Sequence, residues 1–525
     1  MTSASCDRFY TYEEIETLVK AARDAHPDIC TLEALSTTEG GRTIWGITLA
    51  EGTDDPASRP GFYVQGGLHA EEGMGITECL VLLYTLLENG DARKILSRIT
   101  VYILPCINPD GCDACVTQGL SIRSQLESLP AGTPNTLIPQ DLDGDGRILS
   151  MRWEDPTGMW KNAPGCSSLM VRREPGDTDG PFYQIATEGI IENSDGSGAY
   201  KNPRSLDMNR QFAAGWADNA PGGDYPGRHA ESRTVMEFLL THPNIFAAFD
   251  VHCGTSALIY DAPSGKADAD LLKKIVNLGG EITGIVPITE SNYGQYGGST
   301  APTVLPGVFR GYAQSTFGIP AVTVELGNGW NSLGMSSKDI FAAPDLMCAE
   351  LVAKLIDLHE KNGSQIAAPW VKYNHPQLGE VEIGGRIHGN AYFMLASDMN
   401  ELLPKITTFL TKIMDWYPKL ELVNVECRSL GGDVVRVRAD VINTGLMNTM
   451  PIRSASGYHA QSITYVTLEG AEECFNRWPT NEIGSLAPLE SRKLEWFVRA
   501  KPGTALTVRA ACAKAVGACI TVTAD

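Results

Sequence analysis

Five short runs, "RTIWGITLA", "GFYVQGG", "ITVYILPCINPDG", "IFAAFDVHCG" and "IPAVTVELG", read as strands, and stretches of helical periodicity alternate with them. This alternation constrains the chain more than any other feature, because it calls for an α/β layered domain in which helices cover a sheet. "TYEEIETLVKAARDAHPDI" places Thr11 and Glu14 in capping-box spacing and puts Ile15, Leu18, Val19 and Ala22 on one face. "TECLVLLYTLLENG" reads as a buried helix ending at a glycine, and "ESRTVMEFLLTH", "DADLLKKIVNLGGEITG" and "PDLMCAELVAKLIDLHEKNG" read as further helices.

Between about 118 and 226 the periodicity weakens into a long stretch rich in Gly, Asp, Pro and Ser, which is expected to form loops walling a cleft. After about residue 365 the texture changes. "GEVEIGGRI", "KLELVNVECRS", "DVVRVRADVINTG", "SITYVTLEG", "SRKLEWFVRA" and "ALTVRAAC" alternate or run β-branched, with turn residues between them. The expected organisation is an α/β domain over 1–365, a linker with one strand and one helix over 366–417, and an all-β sandwich over 418–525.

A chain of 525 residues with 43% hydrophobic and 20% charged residues has ordinary globular composition, long enough for more than one core. Its formal net charge of -21 argues against a nucleic-acid partner. No apolar run approaches the roughly 20 residues that span a bilayer, so no membrane partner is expected. The N-terminal residues show no basic stretch followed by an apolar one, and 13 cysteines, an odd number without regular spacing, cannot form a complete disulfide framework. Reduced thiols, including Cys106, Cys112 and Cys115, and a cytoplasmic setting are the expectation.

Three strand ends carry groups suited to metal chemistry. In "GGLHAEEGMG", His69 and Glu72 stand at i, i+3, a spacing that projects both side chains to one side and turns Glu71 away. His252 follows an apolar strand in "AFDVHCGTS", at the place where open α/β sheets present side chains to ligands. Glu325 interrupts the apolar run of "VTVELG", where a carboxylate is costly unless it is paired or lies at the sheet mouth. A His, Glu, His set leaves a fourth tetrahedral position open to water, which zinc activates near neutral pH, and Glu325 is placed to act as a general base. Taken singly, each piece also fits a satisfied core histidine or a salt-bridged glutamate.

Together these blocks resemble the zinc carboxypeptidases of the carboxypeptidase A type, family M14, over about residues 8 to 360. "GGLHAEE" is similar to the family's zinc motif, "LPCINPDG" to its Asn-Pro-Asp-Gly block and "SLDMNRQF" to its Asp-x-Asn-Arg-Asn-Phe block. "AESRTVMEF", "FDVHCGTS" and "VTVELG" are similar to the helix, third-ligand strand and catalytic-glutamate strand that follow. The resemblance implies a mixed β-sheet with helices on both faces and one Zn2+ held by His69, Glu72 and His252. It implies Glu325 as base and then proton donor, and Asn209 with Arg210 as the grip on a substrate's terminal carboxylate. It also points to Arg152, or less directly Arg147, beside the polarised carbonyl, to Tyr296 in preference to Tyr293 as the tyrosine over the substrate, and to Arg310 in the pocket for the terminal side chain. An arginine there would favour an acidic residue.

The expected activity is removal of the C-terminal residue from peptides or proteins. A zinc amidohydrolase, deacylase or murein-peptide hydrolase on the same scaffold is the alternative, and a non-catalytic binding protein is the remote one. Two departures from the pattern stand out. Glu71 occupies the place of an arginine often found in the family motif, which bears on residues upstream of the scissile bond. "DLDGDGRILSMR" spaces Asp141, Asp143 and Asp145 like a calcium loop, yet its twelfth position is Arg152 in place of a bidentate glutamate, so a turn rich in Asp and Gly is the expectation and a weak Ca2+ site the alternative.

Overall fold

A computed structural model describes residues 3–53, 55–127, 129–197, 199–218, 222–261, 263, 265–297, 305–342, 348–387, 394–455 and 462–524. Its centre is an eight-stranded sheet of β1 (Cys30–Thr37), β2 (Thr43–Leu49), β3 (Gly61–Gly66), β4 (Thr100–Leu104), β5 (Ile245–Cys253), β6 (Ala257–Tyr260), β7 (Val286–Thr289) and β8 (Ala321–Leu326). The order is β1-β2-β4-β3-β5-β8-β6-β7. β4, β3, β5 and β8 are parallel neighbours, whereas β1, β2 and β6 introduce antiparallel pairs, so the sheet is mixed.

The expected helices cover it. α1 (Tyr12–Ala25) starts in a capping box made by Thr11 and Glu14 and buries Ile15, Leu18, Val19 and Ala22. α2 (Gly73–Glu88) is buried along nearly its whole length, as its apolar run requires. α4 (Ala230–Thr241), α5 (Lys266–Thr283) and α7 (Ala349–Lys361) are the other expected ones, and α3 (Pro109–Gln118) and α6 (Phe309–Phe317) form in addition. Two large apolar clusters form, one around Phe62, Phe249 and Leu403 and the other around Tyr63, Phe238 and Phe309.

Residues 118–226 are not the loops that the weak periodicity suggests. They hold strands Ser150–Glu154, Trp160–Ala163, Cys166–Arg172 and Tyr183–Thr187, which join Ala367–His375 and Gly379–Arg386 in a six-stranded sheet. These strands are short and polar on one side, and two of their partners lie about 200 residues away in sequence, so local periodicity does not report them. The same sheet draws residues expected to form a linker into the body of the protein. α8 (Ala396–Met414) does likewise, for Met399, Leu403, Ile406 and Phe409 belong to the same cluster as α2 and α5.

Beyond Leu420 the chain is all β, in two four-stranded antiparallel sheets that close on a core containing Val437, Val466, Trp496 and Val508. Lys514 is 2% exposed, and its ammonium donates to the carbonyl of Phe317 at the end of α6. Ile452 N–H donates to Gly318 (3.1 Å) and Ser454 N–H to Asp268 (2.7 Å), tying the β region to α6 and α5.

Burial pushes the Lys514 ammonium down from 10.5 to about 8. Between these values the unfolded chain binds a proton that the folded one does not, so this group makes folding more favourable as pH rises from 8 towards 10.5. Below pH 8 the full cost of a buried charge is present. Thermal unfolding of the wild type and Lys514→Met across this range is expected to show the difference in Tm moving in favour of the wild type as pH rises. A difference that does not change with pH would contradict the assignment.

Candidate metal centre and active site

The ends of three adjacent strands meet at one point because the backbone there is unusually close. A Cβ on Gly66 would lie 2.5 Å from the Gly75 carbonyl oxygen, and one on Gly75 would lie 2.3 Å from the Val251 carbonyl oxygen. Glycine at both positions lets the first turn of α2 rest directly on the ends of β3 and β5. Gly67, at φ +64°, turns the chain between β3 and His69.

This packing brings His69, Glu72 and His252 together, with one potential ligand atom from each lying within 4.8 Å of the others. All three are buried. His69 Nδ1 is 2.8 Å from Glu72 Oε1, His252 Nδ1 is 2.7 Å from Glu72 Oε2, and the two Nδ1 atoms are 2.9 Å apart. Both Nε2 atoms point outward to carboxylates, His69 to Asp207 at 3.0 Å and His252 to Asp250 at 2.7 Å. This arrangement fits zinc: two imidazoles and a carboxylate converge, and each ring's other nitrogen has a carboxylate that fixes its tautomer and orientation. Burial opposes ionisation of Glu72, but the two imidazoles hold it well below the usual carboxylate range.

Asp250 is itself held. Gln65 Nε2 donates to Asp250 Oδ1 (2.8 Å), and Tyr63 O–H donates to Gln65 Oε1 (2.7 Å), all within the buried centre of the sheet. The run from Tyr63 to His252 thus crosses between neighbouring parallel strands, on which Gln65 and Asp250 are paired in register.

Glu325 ends β8 directly beside His252, with which it is in register. Burial and the Glu72 carboxylate push its carboxyl up to about 7. Arg123, in the loop after α3, donates from Nη1 to Glu72 Oε1 (2.7 Å) and lies 3.6 Å from Asp207. It is also within electrostatic reach of Glu325. Asn209 lies in a short 3-10 turn (Met208–Arg210) and accepts from Phe309 N–H, at the start of α6, with its Oδ1 (2.8 Å). Its Nδ2 stands 3.5 Å from His252 Nε2 and has a hydrogen to spare for a ligand. Arg210 donates to the Asn209 carbonyl (2.6 Å) and feels the charges of Asp207 and Arg123.

Other expected residues stand elsewhere. Arg152 pairs with Glu382 (2.7 Å), donates to Asn162 (2.7 Å) and stacks between Tyr183 and Trp370 within the six-stranded sheet. None of these partners belongs to the metal cluster, whereas Arg123, which was not among the expected residues, donates to Glu72. Arg147 is in the Asp-rich turn, 3.5 Å from Gln365. Arg310 is buried and committed to Asp261, Glu290 and Thr323, so both sides of its guanidinium are already matched and no acidic terminal side chain is called for. Tyr296 falls in the 3-10 segment Glu290–Gly297, but its side chain lies outside the described residues; Tyr293 is within electrostatic reach of Arg123 and Arg210.

Asp141, Asp143 and Asp145 lie close together on an exposed turn, where their oxygens accept the backbone N–H groups of Gly144, Asp145, Gly146 and Arg147. Those bonds account for the spacing as an Asp-rich turn, and calcium is not supported. All thirteen cysteines are free thiols. Among the described residues no helix is long and apolar enough to cross a membrane.

Asp207, Asp250 and Arg123 were absent from the expected set. Asp207 sits inside the quoted "SLDMNRQF" block, and Asp250 precedes His252 by two on a strand, hence on the same face. Both were legible in principle. Arg123 follows α3 in sequence with no periodic signal, and only the fold brings it to Glu72.

Comparison with known proteins agrees with this geometry. A family model described as zinc carboxypeptidase matches residues 15–345, and one for a domain of unknown function (DUF8731) matches 419–523. A carboxypeptidase B from Astacus astacus is 27% identical over 104 residues, which cover 20% of this chain and 33% of that protein. A zinc carboxypeptidase A 1 from Anopheles gambiae is 30% identical over 105 residues, covering 20% and 23%. The chain thus spans a third or less of these relatives' length. Among solved structures, carboxypeptidase A from Helicoverpa armigera aligns with TM-score 0.41 and 17% identity over 68% of this chain and 74% of that one. Bovine thrombin-activatable fibrinolysis inhibitor, in complex with tick carboxypeptidase inhibitor, aligns with TM-score 0.39 and 13% identity over 67% and 99%. The family match extends over most of the chain and includes His69, Glu72, His252 and Glu325: this protein belongs to the zinc carboxypeptidase family.

Proposed function

We propose that the protein removes the C-terminal residue of peptides, with Glu325 as the general base. The observation that supports this best is the convergence of His69 Nδ1, Glu72 and His252 Nδ1 beside a buried Glu325 whose carboxyl is poised at about 7. Zinc, when bound by these three residues, supplies Lewis acidity towards the scissile carbonyl and lowers the pKa of water towards neutrality.

The chain's own groups do the rest. Glu325 takes a proton from the attacking water and returns it to the leaving nitrogen, a task suited to a carboxyl whose pKa lies near neutrality. Arg123 offers guanidinium N–H groups beside Glu72 to the oxygen that gains charge as the carbonyl is attacked. Arg210, with the Asn209 amide, receives the substrate's terminal carboxylate; a guanidinium offers a carboxylate two parallel donors and so selects a chain end over an internal bond. Tyr293, within electrostatic reach of Arg123 and Arg210, or Tyr296 three residues on, would cover the substrate. Asp207 and Asp250 hold the two imidazoles with their Nδ1 atoms facing inward.

Glu325→Gln keeps the shape of the side chain and removes its basicity. It is expected to lower kcat on a C-terminal peptide substrate by about 10²–10⁴-fold while leaving zinc content unchanged. Undiminished hydrolysis would remove Glu325 from the reaction. Because the carboxylate form is the active one, wild-type kcat/KM should rise with pH along an acid limb whose midpoint is no higher than about 7, since a nearby cation pulls that midpoint down.

Asp250→Asn tests the support behind His252. Zinc affinity, measured by competition with a chelator, is expected to fall by about 10–100-fold, as is usual when an outer carboxylate on a ligating histidine is lost. Unchanged affinity would show that the run from Tyr63 through Gln65 to Asp250 does not orient the ring.

A further inference from the structure

Between the six-stranded sheet and α7 lies a cavity of about 830 Å³, within the range of pockets that hold organic ligands. Its walls include Leu169, Ile185 and Val352, with Trp160 and Trp370 as aromatic surfaces. Arg172 and Arg386 also line it, against one glutamate, Glu174, among the described residues. In a chain of net charge -21 this is a local excess of positive charge.

The cavity wall is constructed in detail. A Cβ on Gly385, which has φ +84°, would lie 2.8 Å from Trp370 Cζ2, so the ring can lie against the backbone only because that residue is glycine. Arg152 stacks on the Trp370 ring at 4.3 Å and is itself anchored by Glu382, which holds the indole in place. Trp370 Nε1 is buried without a hydrogen-bond partner among the described residues, so it is the ring of Trp370, and not its N–H, that is offered to the cavity.

Two features relate this cavity to the surroundings of the metal cluster. Arg386 is within electrostatic reach of Glu71, the neighbour of Glu72. Leu169 and Val352 pack in one apolar cluster with Trp330, five residues beyond Glu325. A peptide whose last bond lies at the cluster and which leaves it past Glu71 would meet this surface with its upstream residues.

We propose that this cavity binds the upstream residues of the peptide substrate, taking an aromatic or apolar side chain against Trp370 and Trp160 and an adjacent acidic side chain at Arg172 and Arg386. The inference rests on the carboxypeptidase reading and adds a preference for longer peptides of aromatic and acidic character. It also gives Arg152 a positioning task, as the support beneath Trp370.

The test compares a hexapeptide carrying Phe and Asp upstream with its own N-blocked C-terminal dipeptide, on the wild type and on Ser168→Trp, which fills the cavity from its wall. The wild type is expected to cleave the hexapeptide with at least about tenfold higher kcat/KM, within the free energy that one buried aromatic contributes. Ser168→Trp should lower the hexapeptide value to that of the dipeptide and leave the dipeptide within twofold. Equal wild-type values for both lengths, or a length preference that survives in Ser168→Trp, would overturn the proposal and leave the carboxypeptidase reading intact. If neither peptide is cleaved by zinc-loaded wild type, that reading fails. Calorimetric binding of the hexapeptide, present in the wild type and lost in Ser168→Trp, then upholds the cavity as a peptide site, and any other binding result overturns it.

Discussion

Glu72 is an ionised carboxylate taken out of water, and the surrounding structure has to compensate for that charge. Leaving it unpaired would cost several kcal/mol. Two imidazoles, the Arg123 guanidinium and the Cys253 N–H (3.2 Å) converge on its two oxygens. These partners come from the turn after β3, the loop after α3 and the end of β5, so the arrangement depends on the parallel centre of the sheet. Gly66 and Gly75 make that possible by letting α2 approach two strands at backbone distance. A divalent cation among these same atoms resolves the excess of buried charge, which is why the cluster makes chemical sense as a metal centre.

Charge of opposite sign is then set out in order around this point. Asp207 and Asp250 stand behind the imidazoles, Glu325 lies beside them, and Arg123 and Arg210 stand 3.6 and 3.8 Å from Asp207. The chain as a whole is strongly acidic, so these arginines provide local attraction against a repelling background. Arg310 and Arg152 show the opposite use of the same residue type. Each is matched by carboxylates in a buried or partly buried network, and each contributes to packing.

How much was legible in the sequence follows from how local each signal is. Alternation of strands and helices revealed the central layer, and capping at Thr11 and the apolar run of α2 are local enough to be read directly. His69 and Glu72 share a turn, and His252 and Glu325 each interrupt or end an apolar strand, so the group that the fold brings together could be picked out. The six-stranded sheet could not, because its short strands pair across about 200 residues and expose polar faces. Arg152 was misread for the same reason: its block looked right in order, but its strand belongs to that sheet. Arg123 was missed because a loop arginine carries no periodic mark, and its meaning comes entirely from the buried charge it meets.

X-ray absorption at the zinc edge of the purified protein tests the central claim most directly. The account predicts one zinc per chain in a first shell of nitrogen and oxygen at about 2.0–2.2 Å, with imidazole scattering from two histidines and no sulfur. That signal should be lost when His252 is replaced by alanine. Substoichiometric zinc in wild type, or a sulfur shell at about 2.3 Å drawn from the free thiols, would contradict it.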